Sequence, residues 1–175
     1  MKKILYIVTV FLCLASFTAC GTSSDDSSPK SSESIAKESQ SQSSDIKLND
    51  VVNWVTGDIW NKGFCDISHY VKNGKSSTGA EMDIEFTIDN LKIAYKKAEE
   101  YNDYILSLDD SIEEQAQLIN AWSKMYEQIK LLYEKVVAET PRPADQSYDF
   151  DTGLFSQYFD TFYNLAMNIN EPVLK

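Results

Sequence analysis

Apolar residues recur every three to four positions in most of the chain beyond residue 46, which is the period of an amphipathic helix. A first helix is predicted over residues 48–71 and a second over residues 82–108. The inner face of the second helix is predicted to carry Ile84, Ile88, Leu91, Tyr95, Ala98 and Ile105. No segment alternates with the period of two that marks a half-buried strand, so the pattern predicts an all-α domain over residues 47–175.

A third helix is predicted to begin at Ser111, since Ser111 and Glu114 have the spacing of a capping box. Pro141 ends it, because proline has no N–H group with which to continue the hydrogen-bond ladder. The apolar stripe of this helix comprises Ile112, Ala116, Ile119, Trp122, Tyr126, Ile129, Tyr133 and Val136.

A fourth helix is predicted after Asp149 or Asp151, and Pro172 closes it. Its inner face comprises Leu154, Tyr158, Phe162, Leu165 and Ile169. The turn at residues 109–110 is very short, so the second and third helices are expected to form an antiparallel hairpin. Four helices joined by this turn and two longer links predict an up-down four-helix bundle.

The first helix differs from the others because it has two apolar faces, displaced by roughly 100° when each residue turns the helix as in an α-helix. One face carries Leu48, Val52, Val55 and Ile59, and the other carries Trp60, Phe64, Ile67 and Val71. Gly57 and Gly63 lie at and near the shift. A kink there would open an aromatic groove beside Trp54, Trp60 and Phe64, which is the candidate binding site. The more ordinary alternative is one broad buried face, with glycines that admit a neighbouring helix.

Cys65 and His69 lie four residues apart on this helix, so their side chains share one side of it. They are the only thiol and the only imidazole after Cys20. The pair could form an activated nucleophile or provide two metal ligands, and Asp58 or Asp66 would have to complete a metal site. A buried cysteine beside a surface histidine is the simpler interpretation, and we predict neither a metal nor a cofactor.

A second candidate for ion binding is the acidic segment before the fourth helix, which contains Asp145, Asp149 and Asp151. Clustered carboxylates can bind calcium. Acidic residues also stabilise a helix start through capping and the helix dipole, without any ion. The spacing of an EF-hand is absent, so the second explanation is favoured.

The first nineteen residues differ in character from the rest of the chain. Lys2 and Lys3 precede an apolar, uncharged run over residues 4–17, interrupted only by Thr9 and Ser16. A basic start followed by an apolar run is the layout of an export signal. The run has about 14 residues, fewer than the roughly 20 that a transmembrane helix needs, so a permanent transmembrane anchor is the weaker interpretation.

The segment Phe17-Thr18-Ala19-Cys20 resembles the lipobox of bacterial lipoproteins. In that family small residues precede a cysteine that receives diacylglycerol and becomes the new N-terminus of the exported protein. Thr18 and Ala19 suit the small positions, whereas Phe17 departs from the usual leucine. The resemblance covers this N-terminal segment alone, and it implies cleavage after residue 19 and a membrane anchor of lipid on Cys20. The alternative is an ordinary secretory signal that ends in an incidental cysteine.

Residues 20–46 are predicted to form a disordered linker between the lipid and the domain. Eleven of the 26 residues from Gly21 to Ile46 are serine, and only Ile35, Ala36 and Ile46 could join a core. Such a segment buries too little apolar surface to offset the entropy lost on ordering. A flexible coil of this length has a typical reach of about 25–30 Å, which would keep the domain near the membrane.

The charge of the chain limits its partners. Removal of residues 1–19 takes two of the 16 basic residues and none of the 27 acidic ones, so the net charge changes from −11 to −13. A surface of this sign repels phosphate backbones and anionic headgroups, which disfavours nucleic-acid binding and electrostatic membrane docking. Lipid, rather than charge, is therefore expected to hold the protein at the membrane.

The sequence thus predicts a lipid-anchored protein on the extracytoplasmic face of the cell membrane, in a cell we expect to be Gram-positive. Its helical domain resembles no family, and we expect a non-enzymatic binding module for a protein, a peptide or a wall component. Tyr104 lies opposite the main stripe of the second helix and is a further candidate contact. The alternatives are a carrier of a small apolar ligand near Trp54, Trp60 and Phe64, and an enzyme or metal site that uses Cys65 and His69.

Overall fold

The computed structural model describes residues 46–175, which form helices joined by loops. The first helical segment is unbroken and divides into α1 (Leu48–Asn53), an 11-residue π-helical segment (Trp54–Phe64) and α2 (Cys65–Asn73). The later helices are α3 (Ile84–Tyr95), α4 (Ala98–Leu106), α5 (Glu113–Ala138) and α6 (Gly153–Asn168). Residues 46–175 contain no β-strand, so the prediction of a helical domain without strands is confirmed for them.

Some of the predictions concern residues outside this range. The signal segment over residues 1–19, the lipid-bearing Cys20 and the linker over residues 20–46 lie outside the described residues, apart from Ile46. Ile46 is half-buried and packs against the hydrophobic core. The core therefore includes the last residue of the predicted linker.

The second predicted helix is divided into two at Lys96 and Lys97, which separate α3 from α4. Here the N–H of Lys97 donates to the carbonyl of Ala94, three residues back, at 3.2 Å. The same carbonyl accepts a hydrogen bond from the indole N–H of Trp54 at 2.9 Å. The prediction of one continuous helix was wrong at this point, because the regular ladder of four-residue steps is interrupted where Trp54 binds the backbone.

The third helix begins at Glu113 rather than at Ser111, and the predicted capping box is not formed. The N–H of Ser111 donates instead to the Asp109 carboxylate at 2.9 Å, which closes a turn two residues long. The hydrogen bonds from Ser111 also hold the pKa of the Asp109 carboxyl below its usual range. The Ser111 N–H, which a capping box would pair with the Glu114 side chain, is therefore already bonded within the turn.

The π-helical segment explains the two apolar faces of the first helix. A π-helix closes its hydrogen bonds over five residues, so it takes more residues per turn than an α-helix. Val51, Val55, Ile59 and Phe64 are separated by steps of four and five residues, and all four are fully buried. Each residue of a π-helix turns the chain by less than the 100° of an α-helix. Side chains that would lie on two faces of an α-helix therefore lie on one side of this segment. The segment is thus a single broad buried face.

The inner face of α5 is rotated relative to the predicted stripe. The buried residues are Gln115, Leu118, Ala121, Trp122, Met125, Ile129, Leu132 and Val136. Of the predicted positions, Ile119, Tyr126 and Tyr133 are only half-buried. Tyr126 and Tyr133 thus lie along the edge of the buried face, a position that suits a side chain with an apolar ring and a polar hydroxyl.

The inner face of α6 was also predicted only in part. Phe162 is fully buried as predicted, whereas the side chain of Leu154 is 51% exposed. Phe155 takes the buried place, and its ring stacks against Phe159 with 5.9 Å between centroids. The predicted stripe was therefore wrong by one residue at the start of the helix.

The core is centred on Trp122, which is fully buried. Its ring centroid lies 5.3 Å from that of Phe162 and 6.5 Å from that of Trp54. Its indole N–H donates to the side-chain oxygen of Asn102 at 3.1 Å, so the buried polar atom has a partner. Among the helices, α5 packs most extensively against α6, and the π-helical segment packs against α3.

Candidate functional site

Trp54, the first candidate residue, lies almost completely within the core. It is 3% exposed, and its ring meets the edge of Tyr101 with 5.2 Å between centroids. Its hydrogen bond to Ala94 ties the π-helical segment to the end of α3. The part of Trp54 that remains accessible forms the floor of a surface hollow.

Trp60 and Phe64, the other two candidates on the first helix, face α6. Trp60 is half-buried and stacks on Phe155 with 5.4 Å between ring centroids. Phe64 is fully buried and meets the edges of Phe150 and Phe155 at 5.9 and 5.5 Å. The three aromatic residues therefore do not line one groove, because Trp54 faces α3 and α4 instead.

The Trp54 hollow, as we name it, lies between the π-helical segment and α3 and has a volume of about 460 Å³. Its lining includes Trp54, Asp58, Lys62, Asn90, Ile93 and Lys97. At its rim, Lys62 and Asp58 form a salt bridge of 2.9 Å, and the Ile93 side chain is 63% exposed. Phe86 lies seven residues before Ile93, hence on the same side of α3, and is 65% exposed.

Tyr104 is half-buried rather than on the open surface. It lines a second hollow of about 320 Å³, together with residues 46–49 and the C-terminal Asn170, Pro172 and Leu174. Burial raises the pKa of its hydroxyl, and Asp50 nearby acts in the same direction. The hydroxyl is therefore a neutral hydrogen-bonding group at physiological pH.

Cys65 and His69 are both half-buried on α2. Asp66, which was considered as a further ligand, accepts hydrogen bonds from the N–H and the hydroxyl of Ser77 at 2.8 and 2.6 Å. Asp58 is engaged by Lys62. Within residues 46–175 no group of three or more His, Cys, Asp and Glu side chains is placed to hold a metal ion.

The three aspartates before α6 have separate partners. Asp145 accepts hydrogen bonds from the N–H and hydroxyl of Ser147, which lower the pKa of its carboxyl. Asp151 accepts from the N–H of Gly153 at 2.8 Å, at the start of α6. Asp149 lies 3.9 Å from the ammonium group of Lys135. Their carboxylates thus serve turns and a helix start.

A larger cleft, which the sequence did not indicate, lies between α5 and α6 and has a volume of about 570 Å³. We name it the amide cleft, because its lining includes Gln117, Asn120, Gln157 and Asn164. Lys124 and Tyr158 also line it, and no Asp or Glu among the described residues does. Amide residues recur at helical spacing in both segments, which was the available signal, but such residues are also common on solvent-exposed faces.

No helix within residues 46–175 is long and apolar enough to cross a bilayer. Comparison of the chain with protein-family models, curated proteins and solved structures gave no match. The Trp54 hollow and the amide cleft are the two candidate sites on the described residues.

Proposed function

We propose that the protein is a lipoprotein on the extracytoplasmic face of the cell membrane, and that its helical domain binds another exported protein or peptide at the Trp54 hollow. The N-terminal signal and the resemblance to a lipobox at Cys20 support the location. The exposed side chain of Ile93 at the hollow, with that of Phe86 two turns earlier on the same side of α3, supports the binding role. Neither part of the proposal requires catalysis.

The observation that carries the binding role is the pair Phe86 and Ile93 on one side of α3. Both side chains are more than 60% exposed, and Ile93 borders a hollow with Trp54 at its floor. Large apolar side chains left exposed on one side of a helix, next to a pocket, are typical of interaction sites. Burial of each by a partner would contribute about 1–2 kcal/mol, from which the cost of ordering the interface is subtracted.

The charges at the rim favour a partner that carries a carboxylate. Lys97 makes no salt bridge with any described residue, and its ammonium group lies 5.9 Å from the centroid of the Tyr101 ring. Lys62 is already paired with Asp58. A partner with an apolar side chain next to a carboxylate would bury the apolar side chain in the hollow and place the carboxylate at Lys97.

Photocrosslinking on intact cells tests this proposal. A benzophenone amino acid at position 93 is expected to give one dominant adduct, which mass spectrometry identifies. The matched control carries the same group at position 131, because Leu131 on α5 is 59% exposed and lies outside the hollow. The same adducts from both positions, or none from position 93, would contradict the proposal.

The anchor has a separate test. Cys20→Ala is expected to abolish metabolic labelling with a fatty acid and to release the protein from membranes, because acyl chains supply the membrane affinity. Ser23→Ala, three residues further on, is the control and is expected to leave both unchanged. A Cys20→Ala protein that stays in the membrane fraction would contradict lipid anchoring.

We also propose that the helical segments form the up-down bundle expected from the sequence. As the residue number rises along one segment, the number of its contact partner in the next segment falls, which supports antiparallel neighbours. The supporting pairs are Trp54 with Tyr101, Gly63 with Leu91, Tyr95 with Tyr133, Trp122 with Asn102, Trp122 with Phe162, and Gln115 with Val173. Nuclear Overhauser contacts between the rings of Tyr95 and Tyr133 and of Trp122 and Phe162 are expected, and their absence would contradict this topology.

A further inference from the structure

The amide cleft is an unusual surface for so acidic a protein. Aspartate and glutamate outnumber lysine and arginine by 27 to 16 in the chain, yet no Asp or Glu within residues 46–175 lines this cleft. Lys124 is the one Lys, Arg, Asp or Glu that the described part of the chain contributes to its lining. The cleft is thus a nearly neutral, strongly hydrogen-bonding surface between α5 and α6.

The amides of the cleft are available to a ligand. Among the described residues, the side-chain amides of Asn120, Gln157 and Asn164 have no hydrogen-bond partner, and that of Gln117 reaches only Glu113, at 3.3 Å. Each amide carries an NH₂ donor and an oxygen acceptor on the same carbon atom. Hydroxyl groups, which donate and accept, and acetamido groups, which carry one N–H and one carbonyl, are the natural complement of such side chains.

Tyr158 adds an aromatic surface to these polar groups. Its ring is half-buried in the cleft, next to Leu165, and the Lys124 ammonium group lies 6.0 Å from its centroid. A saccharide ring has one face of C–H groups and a periphery of hydroxyls. The ring of Tyr158 suits the face, and the amides suit the periphery.

The dimensions fit a short chain of sugars. The lining positions on α5 span residues 117–124 and those on α6 span residues 157–165. At 1.5 Å per residue these segments are roughly 10 and 12 Å long. The volume of about 570 Å³ lies within the range of roughly 300–1,000 Å³ found for small-molecule sites.

We propose that the amide cleft binds an uncharged saccharide chain that carries acetamido groups, as a glycan of the cell wall would. An extended peptide is disfavoured, because peptide recognition commonly uses a free sheet edge or a row of apolar pockets, and the lining of this cleft provides neither. A densely anionic polymer is disfavoured by the net negative charge of the chain. This site is distinct from the Trp54 hollow, so the domain would contact wall glycan and a protein partner on different surfaces.

Isothermal titration calorimetry on the mature protein, extracted from membranes in mild detergent, tests the proposal. The probes are a β-1,4-linked tetramer of N-acetylglucosamine, the corresponding glucose tetramer, and an acetylated tetra-alanine peptide. We expect saturable binding of the first, at least tenfold weaker binding of the second, and none of the third. The glucose tetramer differs only in its acetamido groups, so it isolates their contribution.

The double variant Asn120→Ala/Gln157→Ala is expected to weaken binding of the N-acetylglucosamine tetramer at least tenfold. Asn61→Ala is the control, because Asn61 is an exposed amide on the π-helical segment, away from the cleft. All four amide positions of the cleft are exposed, so these variants are expected to fold, as thermal melting would verify. Binding that the double variant leaves unchanged would overturn the site.

Failure of this inference is distinguishable from failure of the proposed function. Loss of saccharide binding in the double variant, with the crosslink at position 93 intact, would support two separate surfaces. If none of the probes binds, or if only the peptide binds, the saccharide proposal is overturned whatever position 93 captures. The crosslink would then decide the binding role on its own.

Discussion

The side-chain amide of Gln115 holds both polar groups of Val173. Its oxygen accepts the Val173 N–H at 2.6 Å, and its nitrogen donates to the Val173 carbonyl at 3.1 Å. The same nitrogen also donates to the carbonyl of Asp109 at 2.9 Å. Gln115 is 2% exposed, so one buried amide joins the inner face of α5, the turn before it and the C-terminal segment.

Gln115→Leu is expected to destabilise the protein by about 1–3 kcal/mol, because leucine leaves the N–H of Val173 without its partner and removes one donor from each of the carbonyls of Val173 and Asp109. Urea unfolding followed by circular dichroism measures the change. Gln117→Leu, two residues along α5, is the control: Gln117 is exposed, and a change within about 0.5 kcal/mol is expected. Equal effects of the two substitutions would mean that the buried amide of Gln115 adds no more to the free energy of unfolding than an exposed amide does.

The C-terminal segment and Gln115 are expected to be energetically coupled. The N–H of Asp109 donates to the Val173 carbonyl at 2.8 Å, and the N–H of Lys175 donates to the carbonyl of Ser107 at 2.9 Å. Removal of residues 173–175 takes away these bonds and leaves the Gln115 amide partly unpaired. The truncation is therefore expected to cost the Gln115→Leu protein less than the unmodified protein, by about 0.5–3 kcal/mol in a double-mutant cycle. Additive effects would show that the contacts do not act together.

The helical period was sufficient to predict the helices but not how two of them are wound or rotated. At the 100° per residue of an α-helix, Ile59 and Phe64 of the first helix fall on different faces. Only the hydrogen-bond pattern of the backbone distinguishes a π-helix, and side-chain type does not reveal it. On α5, Leu118 and Met125 compete with the aromatic positions for the inner face, and packing against α6 decides between them.

The candidate sites were harder to predict because they join distant parts of the chain. Trp54 was predicted to line a groove with Trp60 and Phe64, whereas the hollow that it lines also requires Ile93, 39 residues later, on α3. Gln115 is a polar residue on an inner face, and its partner lies 58 residues away. Asn120 and Gln157 resemble ordinary solvated residues until α5 and α6 are brought together. Local patterns contain no information about such pairings.

The two glycines of the π-helical segment provide a matched pair of substitutions. A Cβ atom at Gly63 would lie 3.0 Å from Cδ1 of Leu91 and 3.3 Å from the carbonyl oxygen of Asp58. Gly63→Ala is therefore expected to cost about 1–3 kcal/mol through overpacking against α3. At Gly57 the same atom would have no neighbour within 4 Å among the described residues outside its own helix, so Gly57→Ala is expected to stabilise the protein by up to about 1 kcal/mol.

Thermal and urea unfolding of both variants would measure this difference. Gly63→Ala combined with Leu91→Ala is expected to lose less than the two single variants together, because the shortened side chain makes room for the new methyl group. If Gly63→Ala is as stable as Gly57→Ala, the close approach of α3 at Gly63 is not a constraint on the fold.

Stability is expected to fall above pH 10, and Tyr148 accounts for part of the loss. Burial raises the pKa of its hydroxyl to about 12, and Glu139 nearby adds to the effect. Below pH 10 the phenol is protonated in both the folded and the unfolded chain. Between pH 10 and 12 the unfolded chain releases the proton first, so the free energy of unfolding decreases as the pH rises through that window.

Tyr148→Phe is expected to make that decrease less steep between pH 10 and 12. At pH 8 the same variant is expected to lose about 1 kcal/mol, since the hydroxyl donates to the carbonyl of Glu139 at 2.8 Å at the end of α5. Urea unfolding at pH 8, 10, 11 and 12 would measure both effects. Tyr163→Phe is the control, because Tyr163 is 39% exposed and has no hydrogen-bond partner among the described residues. A Tyr148→Phe profile parallel to that of the unmodified protein would show that this hydroxyl does not contribute to the alkaline loss of stability.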